Sequence, residues 1–404
     1  MTQTAPTTTT TTAPARREFD GVICFGGEDW WYHNRGHYDM QMMRELSAHV
    51  PVLYVNSIGM RVPKLGEGGM FFKRVLRKLK SFRRGYVPVR ENFSVVSPFS
   101  IPGKLGRALS KGTLVSQVKS GAKKMGITKP LVWINCPPGA EALDALDAAG
   151  LVYQRTDRYE DFDGVDRDLI AGYDRRLKSE ADVTLFCASL LYENERDQCA
   201  RARFIDHGAD TDRFERAGRD PRDPHDVAPI GRPRVGFVGG IDAHTFWPKM
   251  FEEVVEAMPD VEFVMVGAKT LPDEWCDVAH AHFLGQKDYA DVPQYMAACD
   301  VLVMPWNRSE WIKACNPIKL KEYLAVGRPI VTTSFHELQN YEGLVRVADN
   351  ADAFVNAIRA ALTEPFDPTP GRDRVRAATW TSRGDDALRE LADLGVVPPN
   401  GDTP

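Results

Sequence analysis

CNPIKLKEYLAVGRPIVTT, residues 315–333, is the stretch whose reading decides the fold. Asn316 is a favoured N-cap residue, and Pro317 suits the first helical position, where a missing N–H costs nothing. Gly327 can take the left-handed conformation that ends a helix, and Pro329 stops its continuation. The β-branched run PIVTT then reads as a buried parallel strand. Two polar residues stand out. Lys319 and Glu322 fall in the first two turns, beside a helix N-terminus that favours anions. One Lys and one Glu at such a terminus suit a ligand carrying both phosphate and hydroxyls.

Outward from this unit, short apolar runs alternate with longer amphipathic ones, the sign of parallel α/β architecture. On the C-terminal side of the chain the strand candidates are RVGFVGG, VEFVMVG, DVLVMPW, RPIVTT and LVRVAD, with helices between them over residues 246–258 and 317–326. Before them come GVICFGG, PVLYVNS, FSVVSPF, PLVWINCP, LVYQRTD, VTLFCAS and RFIDHG, with a helix over 167–180. RAGRDPRDPHDVAPIGRP interrupts the rhythm with Pro, Gly and charge. At 404 residues the chain exceeds a single core of about 250–300 residues. The expected fold is α/β, with two Rossmann-like domains facing each other across a cleft. They span 19–215 and 233–375, joined by a linker at 216–232. A last helix over 376–395 is expected to pack back on the first half, and the Thr/Ala/Pro-rich residues 1–18 to form a disordered tail.

A net charge of -5 carries no global nucleic-acid signal. The seven cysteines are scattered without a CxxC pair, which reads as buried free thiols in a reducing compartment rather than a zinc site. No apolar run is long enough to span a bilayer, and no signal-peptide core stands at the N-terminus, so a cytoplasmic location is expected. Each half opens on a strand ending in Gly-Gly, at Gly26–Gly27 and Gly239–Gly240. Glycines after a first strand let the backbone approach a phosphate closely; tight turns are the bland alternative. Neither is a full GxGxxG, which speaks against a dehydrogenase.

The order GFVGG, VEFVMVGAK, HFLGQKDYADVPQYMAACDVLVMPW and NPIKLKEYLAVGRPIVTT resembles the donor-binding domain of retaining GT-B glycosyltransferases of the family 4 group. The likeness is nearest to bacterial members that act on cell-surface polysaccharides. It covers residues 231–394 strongly and the first half more loosely, through FGGEDWW, NRGHYDMQMMREL and FIDHGADTDRF, with His207 in place of the family's usual Asn. The resemblance implies that the helix opening at Asn316, Pro317 and Ile318 points its amides at a donor diphosphate. It implies that Glu322 holds the nucleotide ribose, since a carboxylate can accept from both hydroxyls of a vicinal diol. Lys319 either neutralises the diphosphate or pairs locally with Glu322.

The sequence also departs from the family. The first of the family's two spaced Glu residues would fall at Ala314, with Glu310 or Asn316 as replacements. The Arg and Lys expected after the second Gly-Gly turn are out of register, and Lys249, Arg308 or Lys313 would supply that charge. In the first half, Asp157 in LVYQRTDRYEDF takes the place near the reacting sugar where the family often has His; a loop cap is the alternative. EDWWYHNRGHYD gathers Glu28, Asp29, His33, Arg35, His37 and Asp39 on the acceptor side, or else forms a solvated loop. Asp210 and Asp212, an Asp-x-Asp pair, read as local capping, and His280 with His282 as surface residues, so no metal site is expected.

Residues 71–90, FFKRVLRKLKSFRRGYVPVR, contain no acidic side chain. Phe72, Val75, Leu76, Leu79 and Phe82 recur at helical spacing, while Lys73, Arg74, Arg77, Lys78, Lys80, Arg83 and Arg84 fill the other face. A basic amphipathic helix adsorbs to anionic membrane surfaces; packing of its apolar stripe on the sheet is the alternative. The expectation is a glycosyltransferase without cofactor or metal. It would move a sugar with retention from a nucleoside-diphosphate sugar to a glycan or lipid-linked acceptor, peripherally at the inner face of the membrane. A nucleotide-sugar epimerase and a non-catalytic scaffold of the same architecture are the alternatives.

Overall fold

The computed structural model describes residues 16–32, 36–60, 69–101, 104–162 and 164–399. Most of the expected tail, together with His33 and Arg35, lies outside them, as do the side chains of Phe72, Lys73, Arg74 and Lys78. The first half contributes β1 (Arg17–Glu18), β2 (Gly21–Phe25), β3 (Val52–Val55), β4 (Tyr86–Arg90), β5 (Phe93–Val96), β6 (Pro130–Ile134), β7 (Gly150–Arg155), β8 (Val183–Phe186) and β9 (Ala202–Phe204). Its helices are α1 (Tyr38–Leu46), α2 (Gly69–Arg84), α3 (Lys104–Lys124), α4 (Arg167–Glu180) and α5 (Ser189–Glu195). The second half contributes β10 (Arg234–Val238), β11 (Glu262–Val266), β12 (Ala281–Gly285), β13 (Val301–Met304), β14 (Ile330–Thr332), β15 (Arg346–Val347) and β16 (Val396–Val397). Its helices are α6 (Thr211–Arg219), α7 (Pro248–Glu256), α8 (Val292–Ala297), α9 (Glu310–Lys313), α10 (Ile318–Val326), α11 (Ala351–Thr363), α12 (Thr369–Arg376) and α13 (Trp380–Asp393).

These strands form two large sheets. The first runs β4-β5-β3-β2-β6-β7-β8-β9 and the second β12-β11-β10-β13-β14-β15. Among the described strands only the edge pair β4–β5 is antiparallel. In both sheets the chain starts in the middle, winds to one side, then returns to wind to the other, the doubly wound Rossmann order. Every residue of β2, β3, β5, β6, β7 and β8 is buried, as a sheet covered by helices on both faces requires. The order reverses between β2 and β6 in the first sheet and between β10 and β13 in the second, so each Gly-Gly turn stands at a switch point.

The junction differs from the sequence expectation. Residues 216–232, expected as a linker, pack onto the second sheet. Ala217, Val227 and Ile230 are buried there in one cluster with Met296, Leu320 and Tyr323. The apolar positions of this charged stretch are few, and their burial is visible only once the helix they face, α10, is in place. The chain crosses between halves near residues 206–210 and returns beside that point, where Ala209 bridges Thr379. Gly208 is required here, because a Cβ would stand 2.6 Å from the Trp380 amide nitrogen. After the return, α13 lies against α1, with Thr381 bonded to Glu45 and Glu390 paired with Arg201 and Arg203. β16 then pairs in parallel with β1.

Candidate functional site

The second switch point is built from β10 and α10. α10 ends at Gly327, left-handed at φ 78°, as the sequence implies. Its start differs by one residue: Pro317 occupies the N-cap position and the helix begins at Ile318. Asn316 is displaced and buried. Its Nδ2 donates to the Cys187 carbonyl at 2.6 Å and to Asp206 Oδ1 at 2.7 Å, both in the first half. Lys321 Nζ reaches the same Asp206 carboxylate at 2.9 Å. The rear of α10 is therefore bolted to the first domain beside the chain crossing, and Asn316 faces away from the switch point.

The front of α10 is open. Among the described residues the amides of Ile318, Lys319 and Gly240 have no acceptor. Lys319 Nζ lies 4.5 Å from the Phe237 ring centroid and 5.8 Å from that of Trp306, and no carboxylate pairs with it among the described residues. A Cβ on Gly239 would meet this ammonium group, so the Lys319 side chain lies directly against the turn. Burial pushes the Lys319 pKa down to about 8, with the Glu322 carboxylate acting the other way. Glu322 is itself buried, which raises its pKa, and it accepts a 2.7 Å hydrogen bond from the Tyr289 hydroxyl. The Lys319 ammonium thus stands against the backbone of the Gly239 turn.

Beyond Gly240, Asp242 Oδ1 accepts from the amides of His244 and Thr245, both at 2.9 Å, and so folds the loop into an Asx turn. That turn sets the His244 ring 5.0 Å from Trp311 of α9. Burial pushes Asp157 of the first domain up to about 6, against Arg155, a hydrogen bond from Thr156 and the nearby His244, which act the other way. The strand below Asp157 is anchored by charge. Arg155, fully buried, pairs with Glu160 at 2.8 Å and Glu195 at 3.0 Å, while Lys178 joins Asp174 at 2.7 Å and Glu195 at 2.8 Å. The sequence reading missed His244; the Asp two residues before it, after a Gly-Gly turn, was the available signal.

Other predicted residues fall elsewhere. Arg308 donates to the Asp349 carbonyl at 2.7 Å and lies over Trp247, and Lys313 pairs with Glu310 at the surface. Arg308 and Lys313 line a separate cavity of about 380 Å³ with Phe335 and His336. Lys249 is exposed on α7. Ala314 is buried against Phe186, Ala188 and Leu191 of the first domain, an apolar contact in which a carboxylate would lose its hydration. At the first switch point the Gly27 amide donates to Asp39 Oδ2 at 2.9 Å, and a Cβ on Gly26 would overlap the Tyr54 hydroxyl. Asp29 caps its own turn by accepting from the Trp31 amide. His37 precedes α1 and makes no capping bond to it. His207 packs edge-on to Tyr38 and Trp380, and burial lowers its pKa to about 3, so it stays neutral.

Asp210 stands at the N-cap position of α6 without a capping bond from its side chain. His282 bonds Glu262 and His280 the Val255 carbonyl. Among the described residues no group of three or more His, Cys, Asp or Glu is placed to hold a metal ion, and no helix is long and apolar enough to cross a membrane.

The open amides and the unpaired Lys319 belong to a stretch with known relatives. Residues 232–364 match the family of glycosyl transferases group 1. Over 105 residues the chain is 33% identical to the putative teichuronic acid biosynthesis glycosyltransferase TuaH of Bacillus subtilis, a match covering 25% of this chain and 26% of that relative. The chain thus spans about a quarter of the length of the curated relative it matches. In fold it resembles sucrose-phosphate synthase from Thermosynechococcus elongatus, with a TM-score of 0.65, 16% identity and coverage of 93% of this chain and 99% of that one. It also resembles Anabaena HepE in complex with UDP, with a TM-score of 0.61, 15% identity and the same coverage. The architecture is GT-B, two Rossmann-like domains, with the group 1 glycosyltransferase match in the second.

Proposed function

We propose that this protein is a glycosyltransferase that takes a nucleoside-diphosphate sugar in the second domain and a glycan or lipid-linked acceptor against the first. The observation that carries the reading is the front of α10. Among the described residues the amides of Gly240, Ile318 and Lys319 have no acceptor and the Lys319 ammonium beside Gly239 has no carboxylate partner, while Glu322 of the same helix is held by Tyr289. Such an array suits a diphosphate with a ribose adjoining it, and HepE, a neighbour in fold, is known in complex with UDP. In this scheme Lys319 and the amides of Ile318 and Gly240 stabilise the charge that develops on the departing diphosphate. Glu322 accepts from the ribose hydroxyls. The acceptor hydroxyl attacks the anomeric carbon on the face the diphosphate leaves, the diphosphate oxygen takes its proton, and configuration is retained. Asp157, pushed up to about 6 by burial, holds a sugar hydroxyl. No step needs a metal. The name of the TuaH relative points to polysaccharide synthesis at the cell envelope as the setting.

Ala314 favours one competing reading. Its apolar contact with the first domain leaves that position without a carboxylate, so a donor-binding scaffold without turnover remains the alternative. Thermal stabilisation by a panel of nucleoside diphosphates, with magnesium and with chelator, separates the outcomes. A selective shift that persists in chelator is expected, followed by donor consumption when a lipid-linked acceptor is added. A shift without consumption would identify the scaffold, and no shift with any nucleotide would remove donor binding altogether.

A further inference from the structure

Charge is divided unevenly along this chain. Residues 68–129 hold fifteen Lys and Arg and a single acidic residue, Glu91, whereas the rest of the chain holds 36 Lys and Arg against 55 Asp and Glu. Among the described residues the basic segment also carries most of the large apolar side chains that reach solvent. Leu105 and Leu109 of α3 are 76% and 73% exposed, Leu76 and Leu79 of α2 are 56% and 50% exposed, and Phe99 and Ile101 between the two helices are exposed as well. Leu105 and Leu109, four residues apart, share one face of α3, and Leu76 and Leu79, three apart, share one face of α2.

Contacts join these pieces into one surface. Phe82 of α2 meets Phe99 edge-on at 5.3 Å, the Ile101 side chain lies against Gly106 of α3, and the Ile101 amide donates to Ser110. Arg77, Lys80, Arg83 and Arg84 are exposed along α2, and Lys111 along α3. The patch also adjoins the loop after β2. Arg84 covers the Trp31 ring at 4.4 Å, and Trp31 Nε1 donates to Ser97 at 2.9 Å.

We propose that α2, residues 97–101 and the first half of α3 form one docking face for an anionic lipid bilayer, into which Leu105 and Leu109 insert. Apolar side chains exposed amid Lys and Arg are the pairing a headgroup region accommodates: the cations stay with the phosphates and the leucines enter the acyl boundary. A second copy meeting it face to face would present the same positive charge and be repelled. Because the face runs into the loop after β2, an acceptor held in the bilayer would reach the cleft from the membrane plane. The inference rests on the acceptor-side reading above, but lipid binding is read without donor or turnover, so the two can fail separately.

The test is sedimentation of the full chain with vesicles of phosphatidylcholine alone or with about one third phosphatidylglycerol. Wild type pellets with the anionic vesicles only. Lys80→Glu with Arg83→Glu weakens binding by well over tenfold, since each basic residue contributes on the order of fivefold. Leu105→Ser with Leu109→Ser weakens it by on the order of tenfold while the melting temperature stays put. Failure of wild type to pellet with anionic vesicles would overturn the proposal. So would binding that ignores the leucine substitutions and is competed equally by RNA, the behaviour of a general polyanion surface.

Discussion

The two Gly-Gly turns occupy the same place, the switch points of two doubly wound sheets, and their surroundings differ. At Gly26–Gly27 the protein supplies its own anion: Asp39, buried, accepts from the Gly27 amide and from the Tyr54 hydroxyl at 2.8 Å. At Gly239–Gly240 a cation, Lys319, stands against Gly239, the Asp242 carboxylate beside Gly240 is taken up by the His244 and Thr245 amides, and among the described residues the Gly240 amide has no acceptor. Glycine at a first strand's end marks a close approach to the backbone. Which charge approaches decides whether the turn is part of the core or part of a site.

The comparison can be broken most severely at Lys319. Lys319→Met keeps the length and removes the charge, and kcat/KM for sugar transfer is expected to fall by about 10²–10³, the scale of losing one preorganised electrostatic donor. With Lys319 at about 8, the charged form that a diphosphate needs is present below that pH and lost above it. The wild-type kcat/KM should therefore decline tenfold per pH unit above about 8, and the Met variant should lack that limb. A pH profile that is unchanged in the variant would detach Lys319 from the site.

Glu322→Gln gives the next largest effect. It retains a partner for Tyr289 but replaces a charged acceptor, so nucleotide affinity should weaken about tenfold in calorimetry, with the melting temperature of the free protein nearly unchanged. Asp39→Ala sharpens the contrast from the other side. It strands the Gly27 amide and the Tyr54 hydroxyl, costs about 2–4 kcal/mol of stability in denaturant unfolding, and leaves nucleotide affinity within about twofold. If Asp39→Ala instead abolished nucleotide binding, the first turn would belong to the donor site after all.

How much of this was legible in the sequence depends on the range of the interaction. The unit at 315–333 was readable because helix stop and strand are local: Gly327 and Pro329 act on their own backbone, and the observed left-handed φ follows from them. The same reasoning placed Asn316 as a cap, and there it met a competitor. Asp206 and the Cys187 carbonyl, 110 and 129 residues away, hold the Asn316 side chain, and a proline takes the cap position instead. His244 was invisible for a similar reason, since its neighbours Trp311 and Asp157 come from another helix and another domain. Residues 216–232 looked like a linker because composition reports average polarity, and three or four apolar contacts are enough to seat such a stretch.

By itself the sequence determined the doubly wound α/β character, the division into two halves, the position of both glycine turns and the helix bearing Lys319 and Glu322. Each follows from periodicity or from a residue's own backbone preference, and those act within a few residues. Only the tertiary structure decided which turn is closed by Asp39, that Lys319 has no ion-pair partner among the described residues while Lys321 of the same helix is bound to Asp206, and that Leu105 and Leu109 of α3 reach solvent. Charge pairing and exposure depend on what the fold brings near, and distance in space is the one quantity that spacing along the chain does not carry.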